Sequence, residues 1–153
     1  MKLTPRAPYA YRDDPAVPAF DDGGPRTVMD ARCGLCAKGA RWIAHNDRAG
    51  RFRIIPMQSP LGAALFAHFG LDPGDPASWL LIDEGRGYTS LDAIIRTGGH
   101  LGGWSAALAA FCILPRPVQD WGYGMVARNR YRLSARVDLC TLPDPAVQER
   151  LIL

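Results

Sequence analysis

The sequence predicts an α/β fold in the order βαβ, helix, β-hairpin, helix, with further helices after it. Three observations carry this. Short runs rich in apolar and β-branched residues stand at 26–30, 51–55 and 78–82, bounded by Gly, Pro, Asp or Asn. Apolar residues recur with helical spacing at 34–48, at 60–69 and again after 90. A strand, a helix and a strand in this short span make a right-handed βαβ unit, so the first two strands are parallel.

Each element has its own signal. Residues 1–25 read as an extended N-terminal tail, because Pro5, Pro8, Pro15, Pro18 and Pro25 interrupt helix or ladder. Tyr9, Tyr11 and Phe20 still offer apolar surface for packing. A single domain, 26–153, follows. In the first helix, Leu35, Gly39, Trp42 and Ile43 form an apolar stripe. Lys38, Arg41, His45 and Arg48 lie opposite, which makes His45 a surface residue. The second helix carries Leu61, Ala64, Leu65 and His68, with His68 at the rim of the core. Residues 83–87, Asp-Glu-Gly-Arg-Gly, form a hairpin turn. Ser90 is placed to cap a helix carrying Leu91, Ile94 and Ile95 that stops at Gly98-Gly99. This order, βαβ-α-ββ-α, is the minimal thioredoxin core.

Beyond it, 103–114 reads as a helix with Trp104, Leu108, Phe111 and Cys112 on one face, and Cys112 as a buried core residue. Pro117 opens a helix over 117–132 with Val118, Trp121 and Met125 inward. Its end is basic, with Arg128, Arg130 and Arg132, then Arg136. Such a run either complements the helix dipole or receives an acidic or membrane-surface partner, and in the latter case the chain reads as a non-enzymatic binding module on a thioredoxin-like scaffold. Asp144-Pro145 starts a last short helix to Leu153.

The chemistry-bearing stretch is Asp30-Ala31-Arg32-Cys33-Gly34-Leu35-Cys36. A C-x-x-C at the junction of strand and helix is a redox pattern. The i, i+3 spacing lets two sulfurs close a disulfide or two thiolates hold a metal. A helix N-terminus carries unpaired N–H groups and partial positive charge, which favours thiolate over thiol. Cys33 at the helix mouth, beside Arg32, is therefore expected to attack, with a pKa of about 3.5–7.5. Asp30 works against that charge if it approaches the sulfur. Cys36 shares a face with Ala40 and Ile43, so it is expected to be the more buried, resolving thiol. A zinc site is the competing reading, but it wants four N or S ligands. Only Cys112 and Cys140 remain as thiols, and His45, His68 and His100 are scattered. No metal and no cofactor is expected.

Composition excludes several classes. A net charge of +3 is too small to argue nucleic-acid binding. Four cysteines are too few for a disulfide scaffold. The longest apolar stretch, 104–114, is far short of the roughly 20 residues that span a bilayer. A cytoplasmic protein without a transmembrane segment is expected. Only Lys2 and Lys38 among the basic residues are lysine, and such arginine dominance points to a high-GC bacterial genome. Gly103-Trp104-Ser105 lacks the strand and second glycine of a nucleophile elbow.

With these residues in hand, the chain resembles the DCC family of thiol–disulfide oxidoreductase-like proteins, named for the motif D-x-x-C-x-x-C. Here that motif is Asp30, Cys33 and Cys36. The segment 127–133, Ala-Arg-Asn-Arg-Tyr-Arg-Leu, followed by Arg136 and Cys140, is similar to the family's C-terminal signature. Ile55-Pro56-Met57-Gln58-Ser59-Pro60 and Leu91-Asp92-Ala93-Ile94 also fit. The resemblance covers about 27–140. It implies a thioredoxin-like fold and a dithiol–disulfide cycle on protein or low-molecular-weight thiols and disulfides. It also raises two roles for the C-terminal segment. Arg128, Arg130 and Arg132 are accessory cations, and Cys140 is either a third redox thiol near Cys33 or a buried core residue. Two departures stand out. Ala31 replaces the glycine that commonly follows the aspartate, so a turn there with positive φ would be strained. Ser78-Trp79 stands where thioredoxins place a cis-proline, the nearest proline being Pro76.

Overall fold

The computed structural model describes residues 3–72, 79–133, 139 and 143–152. Its elements are β1 (Arg26–Met29), α1 (Gly34–Asn46), β2 (Arg53–Pro56), α2 (Pro60–His68), β3 (Leu80–Asp83), β4 (Arg86–Thr89), α3 (Ser90–Leu101), α4 (Arg116–Leu133) and α5 (Pro145–Gln148). Two 3-10 segments, Ala10–Asp13 and Gly103–Ile113, join them. The strands form one sheet in the order β2-β1-β3-β4. β1 and β2 are parallel, with Val28 opposite Ile55. The β1–β3 and β3–β4 pairs are antiparallel. This is a thioredoxin-like α/β fold.

Alternation along the strands sorts side chains onto two faces. Met29, Ile54 and Leu81 join Ala37, Ala40, Ile43, Ala93, Leu139 and Val147 in one buried cluster. Val28, Ile55, Leu80 and Ile82 join Leu61, Leu65 and Phe66 of α2 in the other. Helices α1 and α3 thus contribute to one face and α2 to the other. The hairpin turn places Glu84 and Gly85 at φ 49° and 75°, the left-handed pair a tight two-residue turn needs.

The N-terminal segment packs on the α2 face. Tyr11 is buried in that second cluster, with Leu3, Val17 and Phe20 against it. Its hydroxyl donates to Asp22 (2.8 Å), and Arg12 holds the same carboxylate through Nε and Nη2 (2.8 and 2.9 Å). Nearby, the ring of buried His68 meets Asp14 at 2.7 Å. The Arg12 hydrogen bonds hold the Asp22 carboxyl below the usual carboxylate range. The His68 hydrogen bond does the same for Asp14. A depressed carboxylate contributes stability that is full above its unfolded pKa of about 3.9 and is lost as pH falls through its folded value. Amide protection factors over residues 9–13, referred to the intrinsic exchange rate at each pH, are therefore expected to fall below about pH 4, ahead of the sheet, and Asp22→Asn to show the same loosening at neutral pH. Uniform loss of protection across the sheet and these residues together would contradict it.

Several expectations need correction. α3 runs past Gly98 to Leu101 and stops at Gly102, φ 68°. Its N-cap is Thr89, and Ser90 is its first residue, at φ 57°. α5 ends at Gln148; Leu151 then bridges in parallel to Ile54. The segment 103–113 is a 3-10 helix whose aromatic residues are not buried, Trp104 being 69% exposed. The reason is its contact with α3: a Cβ on Gly98 would meet the Ser105 carbonyl oxygen at 2.5 Å, so the small Ser105 packs inward. Cys112 is accordingly exposed, not a core residue. Among the described side chains of α4 the buried ones are Gln119 and Ala127, and Trp121 is 64% exposed, with Val118 and Met125 also exposed. His45 is exposed as expected, beside Asp144 at 3.1 Å.

Candidate functional site

The C-x-x-C lies where β1 turns into α1, and the turn is built by Asp30. Its buried carboxylate accepts the Arg32 N–H through Oδ1 (2.9 Å), and its carbonyl accepts the Cys33 N–H (3.4 Å). An Asx turn of this kind redirects a strand without needing glycine. Ala31 is accordingly not among the residues with positive φ, so the strain expected there is absent.

Two other segments clamp this turn. Gln58, in the loop after β2, donates from Nε2 to Asp30 Oδ1 (2.7 Å) and accepts the Ala31 N–H at Oε1 (3.1 Å). Met57 N–H adds a bond to the Met29 carbonyl (2.9 Å). From the other side, Leu139 N–H donates to the Ala31 carbonyl (2.7 Å), and Leu139 is fully buried. Both backbone groups of Ala31 are thereby fixed. Gln58→Ala is expected to cost about 1 kcal/mol, with water replacing part of the lost bonding, which is about 2–4 °C in Tm. Thermal unfolding measures it, and an unchanged Tm would remove Gln58 from the clamp.

The two thiols differ in a way that reverses the expectation. Cys33 is the N-cap of α1, with extended backbone (φ −101°, ψ 118°), and it is 0% exposed. Cys36, in the first turn of α1, is half-buried and opens on a cleft. The correction has a physical cause: Leu139 packs with Ala31 and bonds its carbonyl on the turn that buries Cys33, whereas Cys36 lines the cleft among the described residues. Arg32 is exposed. Arg128 and Arg132 are exposed on α4. The side chain of Arg130, and all of Arg136 and Cys140, lie outside the described residues, as do Pro76 and Ser78. The approach of Cys140 to the motif is therefore not placed.

The cleft beside Cys36 has a volume of about 660 Å³. Its walls come from β1, α1, α3, the 103–113 segment and α4. Trp42, Trp79 and Trp121 are its largest rings. Trp79 is anchored, since its Nε1 donates to the hydroxyl of buried Thr27. Gln119 donates to the carbonyls of Phe111 (3.1 Å) and Leu114 (2.7 Å), tying the 3-10 segment to α4. Among the described residues no group of three or more His, Cys, Asp or Glu could hold a metal ion. Nor is any helix among them long and apolar enough to cross a membrane.

Gln58 as a clamp, and the cleft itself, were not visible from periodicity. The signal that was available is Gly39 in the middle of α1, because glycine inside a helix needs a reason.

The fold and the placement of the two cysteines define a thioredoxin-like domain with a dithiol motif at a helix start. The chain belongs to the DCC1-like thiol-disulfide oxidoreductase family, whose model matches residues 27–136. It is 30% identical over 125 residues to YuxK of Bacillus subtilis (strain 168), an uncharacterized protein, covering 82% of this chain and 91% of that one. It is 31% identical over 123 residues to a chloroplastic DCC family protein of Arabidopsis thaliana, covering 80% and 72%. No solved structure matches it.

Proposed function

We propose that this protein is a thiol–disulfide oxidoreductase working through a Cys33/Cys36 dithiol–disulfide cycle, with Cys36 as the thiol that meets the substrate. The observation that carries this is the contrast in access: Cys36 lines the cleft and Cys33 is fully buried. The Cys36 thiolate attacks a substrate disulfide, the leaving sulfur departs as a thiolate, and a mixed disulfide remains on Cys36. The Cys33 thiolate then attacks the Cys36 sulfur, which closes the internal disulfide and releases the second substrate thiol. Both cysteines sit where the N–H groups of the first helical turn favour thiolate. Asp30 and Gln58 position the turn that carries Cys33. They are positioning residues.

Redox titration tests the cycle. Protein equilibrated across dithiothreitol or glutathione buffers is expected to pass through one two-electron transition, with a mass loss of two hydrogens on peptides holding Cys33 and Cys36. A midpoint near about −270 mV marks a reductant and one near about −120 mV an oxidant. If no Cys33–Cys36 disulfide forms under any poise, the cycle is refuted.

A further inference from the structure

The cleft is built to stay open. Gly39 of α1 and Gly122 of α4 both line it, and a Cβ added at either would meet nothing within 4 Å. Glycine is among the poorest residues in a helix interior, yet two helices carry one at this wall. The volume, about 660 Å³, lies in the range of small-molecule sites, about 300–1,000 Å³. The lining is apolar and aromatic. Among the described lining residues Lys38 is the only charged side chain, and none is a carboxylate. Such a wall accepts an apolar body, favours an anionic end and disfavours a cationic one.

We infer that the substrate held in this cleft is a low-molecular-weight amphiphilic disulfide, its apolar body between the Trp42, Trp79 and Trp121 rings and its anionic end toward Lys38. This rests on the dithiol–disulfide reading above. One disulfide is reduced to two thiols by two electrons from Cys33 and Cys36, which end joined to each other; no further reductant enters a single turnover.

Two sets of measurements test it, using the whole chain. In the first, tryptophan fluorescence follows binding of decanoate and decylamine, which carry no sulfur. Decanoate is expected to bind about five- to tenfold tighter, the sum of attraction and repulsion at a partly exposed charge. Lys38→Gln is expected to erase the difference. Gly39→Phe and, from the opposite wall, Gly122→Phe are expected to abolish decanoate binding. In the second, pre-reduced protein is mixed with lipoate, with 2-hydroxyethyl disulfide or with insulin. With each rate divided by that for free dithiothreitol, which removes the faster intrinsic exchange of lipoate's strained ring, lipoate is expected to react at least about tenfold faster than 2-hydroxyethyl disulfide, because of the two it alone buries a methylene chain. In both Phe variants that ratio is expected to fall to about one. If decanoate does not bind, or if the Phe variants leave the ratio standing, the cleft is not the substrate site. Insulin reacting faster than lipoate would assign it to a protein substrate instead. Decanoate binding with no disulfide reduced would retain the acidic-amphiphile site and refute the redox reading. Reduction of 2-hydroxyethyl disulfide without decanoate binding would do the reverse.

Discussion

Cys33→Ser is expected to leave a protein that joins its substrate through Cys36 and cannot let it go. Cys36 retains access to the cleft in this variant, so the first exchange proceeds and the mixed disulfide accumulates. Release needs a second thiol one turn away, and that thiol has been removed. Cys36→Ser is expected to give little adduct at Cys33, because Cys33 is fully buried. Turnover falls to background in both variants, so the adduct distinguishes their roles. Peptide mapping after exposure to a disulfide, which sets aside adducts on exposed Cys112, shows it, and timed alkylation of the reduced wild type should label Cys36 before Cys33. Adduct confined to Cys36→Ser, with Cys33 alkylated first, would restore the order that the helix mouth alone suggests.

Gly62→Ala is expected to produce the largest loss of stability among single methyl additions near the site. A Cβ there would lie 2.2 Å from the Pro56 carbonyl oxygen and 2.8 Å from the Met57 Cα. Both are backbone atoms and neither can swing aside, so α2 must lift off the end of β2. Overpacking of this kind costs about 3 kcal/mol at the upper end of its usual range, or about 6–12 °C in Tm. The movement also reaches the dithiol. Pro56 and Met57 lead directly into Gln58, whose side chain holds Asp30 and Ala31. The variant should therefore alkylate faster at Cys33 than the wild type, at temperatures well below unfolding. A lowered Tm with unchanged Cys33 labelling would separate the packing of α2 from the clamp.

Much of the core was legible in the sequence. The first βαβ unit is recovered to within two residues at most boundaries, because Val28, Ile54 and Ile55 alternate between faces and glycine or proline marks the ends. The motif was legible too, since its spacing is local. Which thiol is buried was not. The helical stripe through Ala40 and Ile43 is buried as expected, yet Cys36 sits where that stripe emerges into the cleft. Cys33 is buried in a turn that Leu139 bonds at Ala31, a long-range contact that periodicity does not reveal. The misplacement of Phe111, Val118, Trp121 and Met125 has a related cause. Apolar spacing shows which residues share a face, but not whether another element covers that face.

The return of the chain to β2 has a consequence for how copies of this protein meet one another. β2 ends the sheet, and a terminal strand presents unpaired backbone groups that can recruit a strand from another molecule. Here Ile54 N–H donates to the Arg150 carbonyl (2.8 Å), and the Ile54 carbonyl accepts the Ile152 N–H (2.9 Å). The residues after α5 therefore occupy the place an intruding strand would take. They act as an edge guard, and cutting the chain before Arg150 would bare the Ile54–Ile55 stretch to self-association.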